Sequence, residues 1–214
     1  MIKRIINNKI SIEREEMPDA IPYHIRHEYE RFCSMIEDEQ YAGAWFELRD
    51  LVEVTLKFPV LLGLSYMFQK ESIDFENREV KNILELLLTK RLSLGDWKQL
   101  AFWLYECRMI WQNVGCLCEI LKSVYSFVHN NQIIQWRNDM IGHGALPFEE
   151  SNNFTYALRN IFNSCEDCLI ECIQAYKKIE IQEDNNTIRV VIDNKSVTVE
   201  RWLFEKEFFF DKYI

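Results

Sequence analysis

The chain has few of the residues that make turns: among 214 residues there are 6 glycines and 4 prolines. A fold of many short strands needs both residue types at its tight turns. Their scarcity therefore favours long helices over an all-β fold. Hydrophobic residues make up 48% of the sequence and aromatic residues 14%, which excludes a disordered chain. The length suffices for one hydrophobic core, or for one core with a small appendage.

Positive charge is also in short supply. The sequence contains 25 Lys and Arg residues against 34 Asp and Glu residues, a formal net charge of −9. Proteins that hold nucleic acid through many phosphates normally carry a basic face. The charge balance therefore argues against a general DNA or RNA binder, but it is compatible with a small site that touches one or two phosphates.

Long apolar runs and a secretory signal are not evident. The most apolar run, 58–68, is too short to span a bilayer, and residues 1–9 lack the apolar stretch and cleavage site of a signal peptide. The seven cysteines are odd in number, and their spacing does not suggest a disulfide framework. We therefore expect a soluble protein in the reducing cytoplasm.

Apolar residues recur at helical spacing over most of the chain, which predicts a mainly α fold, an antiparallel helical bundle. Pro59 is expected to kink or split the second helix, because proline removes a backbone donor and crowds the preceding turn. Ser93 or Asp96 is expected to cap the helix that carries Trp97. The other helices are predicted over 23–38, 41–69, 76–91, 114–128, 133–141 and 153–180.

The pattern changes from period 3.6 to period 2 near the C-terminus. Ile188, Val190 and Ile192 alternate with other residues, a turn follows at Asn194, and the alternation resumes. Apolar residues at 202–204 and 208–210 extend the pattern. We predict a small antiparallel β hairpin or three-stranded sheet here. The expected organisation is an N-terminal arm or short lead-in strand (1–22), a helical bundle (23–182) and a β appendage (183–214). The appendage looks cut from a longer chain and could contact a further domain or a partner protein.

The segment from Arg137 to His143 is the most informative for chemistry. Six residues along an unbroken helix separate two side chains by about 240°. Gly142 and Gly144 flank His143, and they allow the chain to turn so that the imidazole approaches Arg137. A guanidinium matches phosphate oxygens, and a histidine transfers protons near neutral pH. Asn138 can orient either the histidine or a phosphate. The set suits RNA cleavage by the adjacent 2′-hydroxyl, a reaction that needs no metal because the nucleophile is already in the substrate.

Arg137-Asn138 followed by His143 resembles the R-x(4–6)-H signature of HEPN domains, with five intervening residues and the family's polar residue directly after the arginine. The resemblance extends over about 23–180. It implies a helical bundle that pairs as a homodimer, with two motifs facing one cleft and Arg137, Asn138 and His143 as catalytic residues. It also implies an RNA substrate, no cofactor, no metal, and a role as a prokaryotic antiphage effector or toxin. The alternative is a HEPN-like module without catalysis that dimerises or binds a nucleotide or RNA within a larger defence protein.

Other clusters have simpler explanations. Cys165, Cys168 and Cys172 are spaced as a buried helical stripe, which favours core packing over zinc ligation. His24 and His27 could ligate a metal or line a dimer cleft, but a polar helix face is the simpler interpretation. The tryptophans could stack on bases, although core or interface packing is the more common role.

Overall fold

The computed structural model describes residues 2–6, 9–12, 17–68, 75–89, 91–107, 115–140, 152–183, 187–192 and 195–200. These residues form a mainly helical structure, as predicted. The helices are α1 (Tyr23–Glu37), α2 (Tyr41–Phe68), α3 (Arg78–Thr89), α4 (Leu94–Glu106), α5 (Gly115–Asn130), α6 (Ile133–Met140) and α7 (Asn152–Tyr176). The strands are β1 (Ile2–Ile6), β2 (Lys9–Ile12), β3 (Ile179–Glu183), β4 (Thr187–Ile192) and β5 (Lys195–Glu200).

Helix α2 continues through Pro59 without a break in its assignment, so the proline does not split it. Proline leaves the carbonyl four residues earlier, that of Thr55, without its usual helical donor. Contrary to the expectation from the short apolar run 58–68, the helix is long and apolar enough to span a membrane by length and composition. However, 78% of its most apolar window is buried inside the protein. A buried core helix of a soluble protein has the same properties.

The chain divides into two compact units, each made of two segments. The first unit comprises Met1–Leu56 and Ser123–Ile173. Its core contains an aromatic cluster in which the Phe162 ring stacks on Phe32 at 4.3 Å and on Tyr29 at 5.5 Å between centroids. All three rings are almost completely buried. In the same unit, strands β1 and β2 form an antiparallel hairpin that packs against α1.

The second unit comprises Lys57–Lys122 and Gln174–Ile214. Helix α4 begins with the predicted cap: the Ser93 hydroxyl accepts from the Asp96 backbone, and the Asp96 carboxylate accepts from the Ser93 backbone. This reciprocal capping box satisfies two backbone donors at the helix start. Helices α3 and α4 pack together, and the ammonium of Lys57 lies 5.8 Å from the Trp97 ring centroid.

The second unit also contains an antiparallel sheet in the order β3-β4-β5. Ile179 pairs with Ile192, and Thr187 pairs with Glu200. The predicted C-terminal antiparallel sheet is thus present, but one strand comes from an unexpected segment. Helix α7 was predicted to reach residue 180, and it ends at Tyr176 because β3 begins at Ile179. The expected strands at 202–204 and 208–210 lie outside the described residues.

Candidate functional site

Helix α6 carries the arginine of the predicted motif at its C-terminal end. Asn131 closes the preceding helix: its backbone and side-chain amides both donate to the carbonyl of Phe127. Gln132 then has a φ of 50°, a left-handed conformation that redirects the chain before α6 starts at Ile133. The eight residues of α6 therefore form a separate helix and do not continue α5.

One face of α6 is buried, and Arg137 lies on it. Ile133 is fully buried, and Trp136 and Arg137 are half-buried. Residues three and four positions apart share a helix face, so these three side chains lie within an arc of about 100°. Asn138 and Asp139 lie on the opposite face and are exposed. This amphipathic placement explains why a permanently charged side chain is partly withdrawn from water.

The guanidinium of Arg137 makes one hydrogen bond to its neighbour Asn138, and its Nε donor has no hydrogen-bond partner among the described residues. Nη1 donates to Oδ1 of Asn138 over 3.4 Å, a long and weak hydrogen bond. Nε is buried and makes no hydrogen bond with any of the described residues. A buried donor without an acceptor costs about 1–3 kcal/mol, so this position favours an anionic oxygen as a ligand.

Trp136, the residue before Arg137, connects α6 to α2. Its ring stacks on that of Trp45 with centroids 5.3 Å apart and planes 26° from parallel. Trp45 is completely buried near the start of α2. Both residues belong to the first unit. From the sequence, Trp136 could be a base-stacking residue or a core anchor, and this contact is that of an anchor.

The structure describes two of the three predicted catalytic residues. Arg137 and Asn138 are adjacent and in contact. His143, together with Gly142 and Gly144, lies in 141–151, outside the described residues. Helix α6 is described as far as Met140, three positions before the histidine, so the predicted end at Gly142 lies outside the described residues. Whether the imidazole approaches the guanidinium stays a prediction.

A charged cluster between α1 and α2 was not anticipated from the sequence. Nη2 of Arg31 donates to Oε1 of Glu47, and Nη1 lies 3.5 Å from Oε2 of Glu28. Carboxylate oxygens of Glu28, Glu47 and Asp50 all lie within 4.8 Å of one another. Such a set of oxygen donors resembles a cation site, but the Arg31 guanidinium already supplies positive charge to two of the three carboxylates. Glu28 and Arg31 lie on α1, and Glu47 lies on α2, up to 19 positions away in the sequence. The cluster is therefore evident only from the packing of the two helices.

Buried polar groups also link α1 and α2 to α7. The Tyr29 hydroxyl donates to Oε1 of Glu166 over 2.8 Å, and burial raises the pKa of Tyr29 well above its usual range. The Thr55 hydroxyl lies 3.9 Å from the Cys165 sulfur. Burial raises the pKa of the Cys165 thiol to about 12, which makes it a poor nucleophile at neutral pH.

The cysteines and histidines of the other candidate clusters are placed as follows. Cys165, Cys168 and Cys172 are buried, which confirms the prediction of a core stripe, and none of the seven cysteines, all of them described, forms a disulfide. The exposed Tyr23 ring stacks on His27 and meets His24 edge to face. These two histidines therefore lie beside an aromatic ring at the first turns of α1.

Comparisons of the chain with protein-family models, with curated proteins and with solved structures found no match. The motif and the described geometry are therefore the basis for any functional assignment.

Proposed function

We propose that this protein is a metal-independent RNA endonuclease of the HEPN type. The observation that carries the proposal is the placement of Arg137 on the buried face of α6. There its guanidinium touches Asn138 and its Nε has no acceptor among the described residues. The Gly142-His143-Gly144 sequence follows within four residues of the helix end. A phosphate-binding donor is thus held close in sequence to a group that transfers protons.

The proposed reaction is an intramolecular transesterification of RNA. His143 takes the proton of a 2′-hydroxyl as its oxygen attacks the adjacent phosphorus. The bond from phosphorus to the 5′-oxygen of the next nucleotide breaks, and that oxygen takes up a proton. The products are a 2′,3′-cyclic phosphate and a 5′-hydroxyl. Arg137 stabilises the negative charge that develops on the phosphoryl oxygens, and Asn138 orients the guanidinium.

The resemblance to HEPN domains supports a further part of the proposal. We propose that two copies of the chain pair so that both motifs face one cleft. We also propose that the enzyme acts in the cytoplasm as an antiphage effector or toxin. A single local site fits the net charge of −9 better than an extended nucleic-acid groove. The C-terminal sheet is then available to a further domain or partner.

The test is cleavage of tRNA or total RNA by the purified chain in EDTA. We expect His143→Ala to lower the rate by about 10²–10⁴-fold and Arg137→Ala by about 10²–10³-fold. Asn138→Ala should have a smaller effect, because the hydrogen bond it removes is weak. Arg159→Ala is the matched control, since Arg159 is a half-buried arginine of α7 outside the motif.

Equal rates for the wild-type protein and for the Arg137 and His143 variants would contradict the nuclease assignment. The non-catalytic module would then be the better explanation. In that case the Arg137 substitution should weaken binding of RNA or a nucleotide without any change in the integrity of the RNA.

A further inference from the structure

Helix α6 is too short to hold its own position. An eight-residue helix is unstable in isolation, so its orientation depends on contacts with the rest of the protein. Among its described residues, Ile133 is buried, and Ile134 and Trp136 are half-buried beside Arg137; Trp136 carries the only aromatic ring of this helix. Any group that fixes Trp136 therefore also fixes the backbone from which the arginine side chain extends.

Trp45 is the described residue best placed to do this. Its indole is completely buried and lies against the Trp136 ring in an offset stack, with centroids 5.3 Å apart. Trp45 lies in the first two turns of α2, whose following residues Leu48 and Val52 are also buried. The Trp45 ring is thus held in place by the long, buried helix α2. Because Trp136 stacks on this ring, the contact restricts the orientation of α6.

We propose that Trp45 is a positioning residue for Arg137: its stack on Trp136 sets the orientation of α6 and so directs the guanidinium toward the scissile phosphate. The effect on catalysis rests on the proposed nuclease function, whereas the ordering of Arg137 does not. An arginine held in advance loses less entropy when charge develops on the phosphate. Misplacement of a reacting group by about 1 Å can reduce a rate by about 10²-fold.

Three tryptophan variants separate positioning from general stability. Trp45→Leu removes the stack, Trp45→Phe keeps a ring that can stack, and Trp97→Leu removes another buried tryptophan, one that belongs to the second unit. Rates are measured on RNA at a temperature where circular dichroism shows each variant to be folded. If Trp45→Leu does not fold, Trp136→Leu is used instead. This variant removes the other ring of the stack, and Trp136 is only half-buried, so its loss disturbs the core less.

We expect Trp45→Leu to lower kcat by about 10²-fold with little change in KM, because the interaction it weakens acts in the transition state. Trp45→Phe should restore kcat close to the wild-type value, and Trp97→Leu should leave it unchanged. An equal fall in kcat for Trp45→Leu and Trp97→Leu would overturn the proposal. A rise in KM alone for Trp45→Leu would do the same.

A second measurement does not depend on turnover. The ¹⁵N relaxation of the Arg137 Nε–H group, assigned with Arg137→Lys, reports the order of the side chain. We expect an ordered group in the wild-type protein and in Trp97→Leu, and a mobile one in Trp45→Leu. This pattern in a protein that does not cleave RNA would refute the nuclease but support the positioning role. Equal order of Arg137 in Trp45→Leu and the wild-type protein would refute the positioning role, whether or not RNA is cleaved.

Discussion

Arg31 pairs with two carboxylates, those of Glu28 and Glu47, and its removal should strongly destabilise the first unit. In the Arg31→Met variant, a side chain of similar length keeps much of the packing but removes the charge. The carboxylates of Glu47 and Glu28 that contact Arg31 belong to side chains only 9% and 11% exposed. Asp50 contributes a third carboxylate oxygen within 4.8 Å of theirs. Asp50 keeps its ion pair with Arg49. Without the Arg31 guanidinium, however, the carboxylates of Glu28 and Glu47 repel each other with little water to screen them.

The expected loss follows from the burial of the pair. Removal of one partner from a fully buried ion pair costs about 3–5 kcal/mol, whereas an exposed pair contributes about 0–1 kcal/mol. The Arg31 side chain is 36% exposed, which places its pairing with Glu47 between these limits. We therefore expect Arg31→Met to lower the free energy of unfolding by about 2 kcal/mol.

Urea denaturation at neutral pH measures this loss. Arg26→Met is the matched control, because Arg26 of the same helix pairs with an Asp19 side chain that is 99% exposed. That carboxylate remains hydrated when its partner is removed, so a much smaller loss is expected. In the Arg31→Met, Glu47→Gln double variant, one of the repelling charges is gone, and part of the lost stability should return.

The reasoning would be refuted if Arg31→Met were as stable as the wild-type protein, or if its loss equalled that of Arg26→Met. It would also be refuted if the Glu47→Gln change made the Arg31→Met protein less stable by the same amount as it does the wild-type protein. Additivity of that kind would mean that Arg31 and Glu47 contribute independently.

Two further predictions concern other parts of the fold. Ser93→Ala should lower the free energy of unfolding by about 1 kcal/mol, because it removes the capping box of α4, and thermal melts against Ser93→Thr as the conservative control would detect this. Alkaline pH should destabilise the protein between pH 9 and about 12, because burial raises the pKa of Cys165 from 9.0 to about 12 and the unfolded chain loses the proton first. The stability due to this thiol is complete below pH 9 and declines by about 1.4 kcal/mol per pH unit through that range, a slope that Cys165→Ala should reduce. An unchanged alkaline slope in Cys165→Ala would contradict this assignment.

Local sequence signals were sufficient for most of the helices. Ser93 and Asp96 mark the start of α4 because a capping box involves residues only three positions apart. The stripe of Cys165, Cys168 and Cys172 is buried because helical periodicity places these residues on one face. Such features depend on residues within one or two turns, so a sequence pattern records them.

Features that depend on distant residues were harder to predict. Apolar residues at helical spacing continue to Tyr176, and no glycine or proline marks the change to β3. The strand forms because Ile179 pairs with Ile192 of another segment. The N-terminal hairpin was expected only as an arm or lead-in strand, although Asn7-Asn8 between two short apolar runs was a possible turn signal.

In the candidate site, too, features that depend on nearby residues could be predicted and those that depend on distant residues could not. The short helix that carries Arg137 could be predicted from its local pattern, and the contact of Arg137 with Asn138 is between neighbours in the chain. The stack of Trp136 on Trp45 joins residues 91 positions apart, and no pattern within either helix indicates the other.

The most direct test of the central claim compares two chemically matched oligonucleotides in EDTA. One is an RNA that the wild-type protein is found to cleave, and the other carries a 2′-O-methyl group at the cleaved nucleotide. The account predicts cleavage of the first, with a 2′,3′-cyclic phosphate at the new end, and no cleavage of the second at that bond. Cleavage of both at similar rates, or a new end that carries a 3′-hydroxyl, would contradict attack by the 2′-hydroxyl and with it the proposed nuclease mechanism.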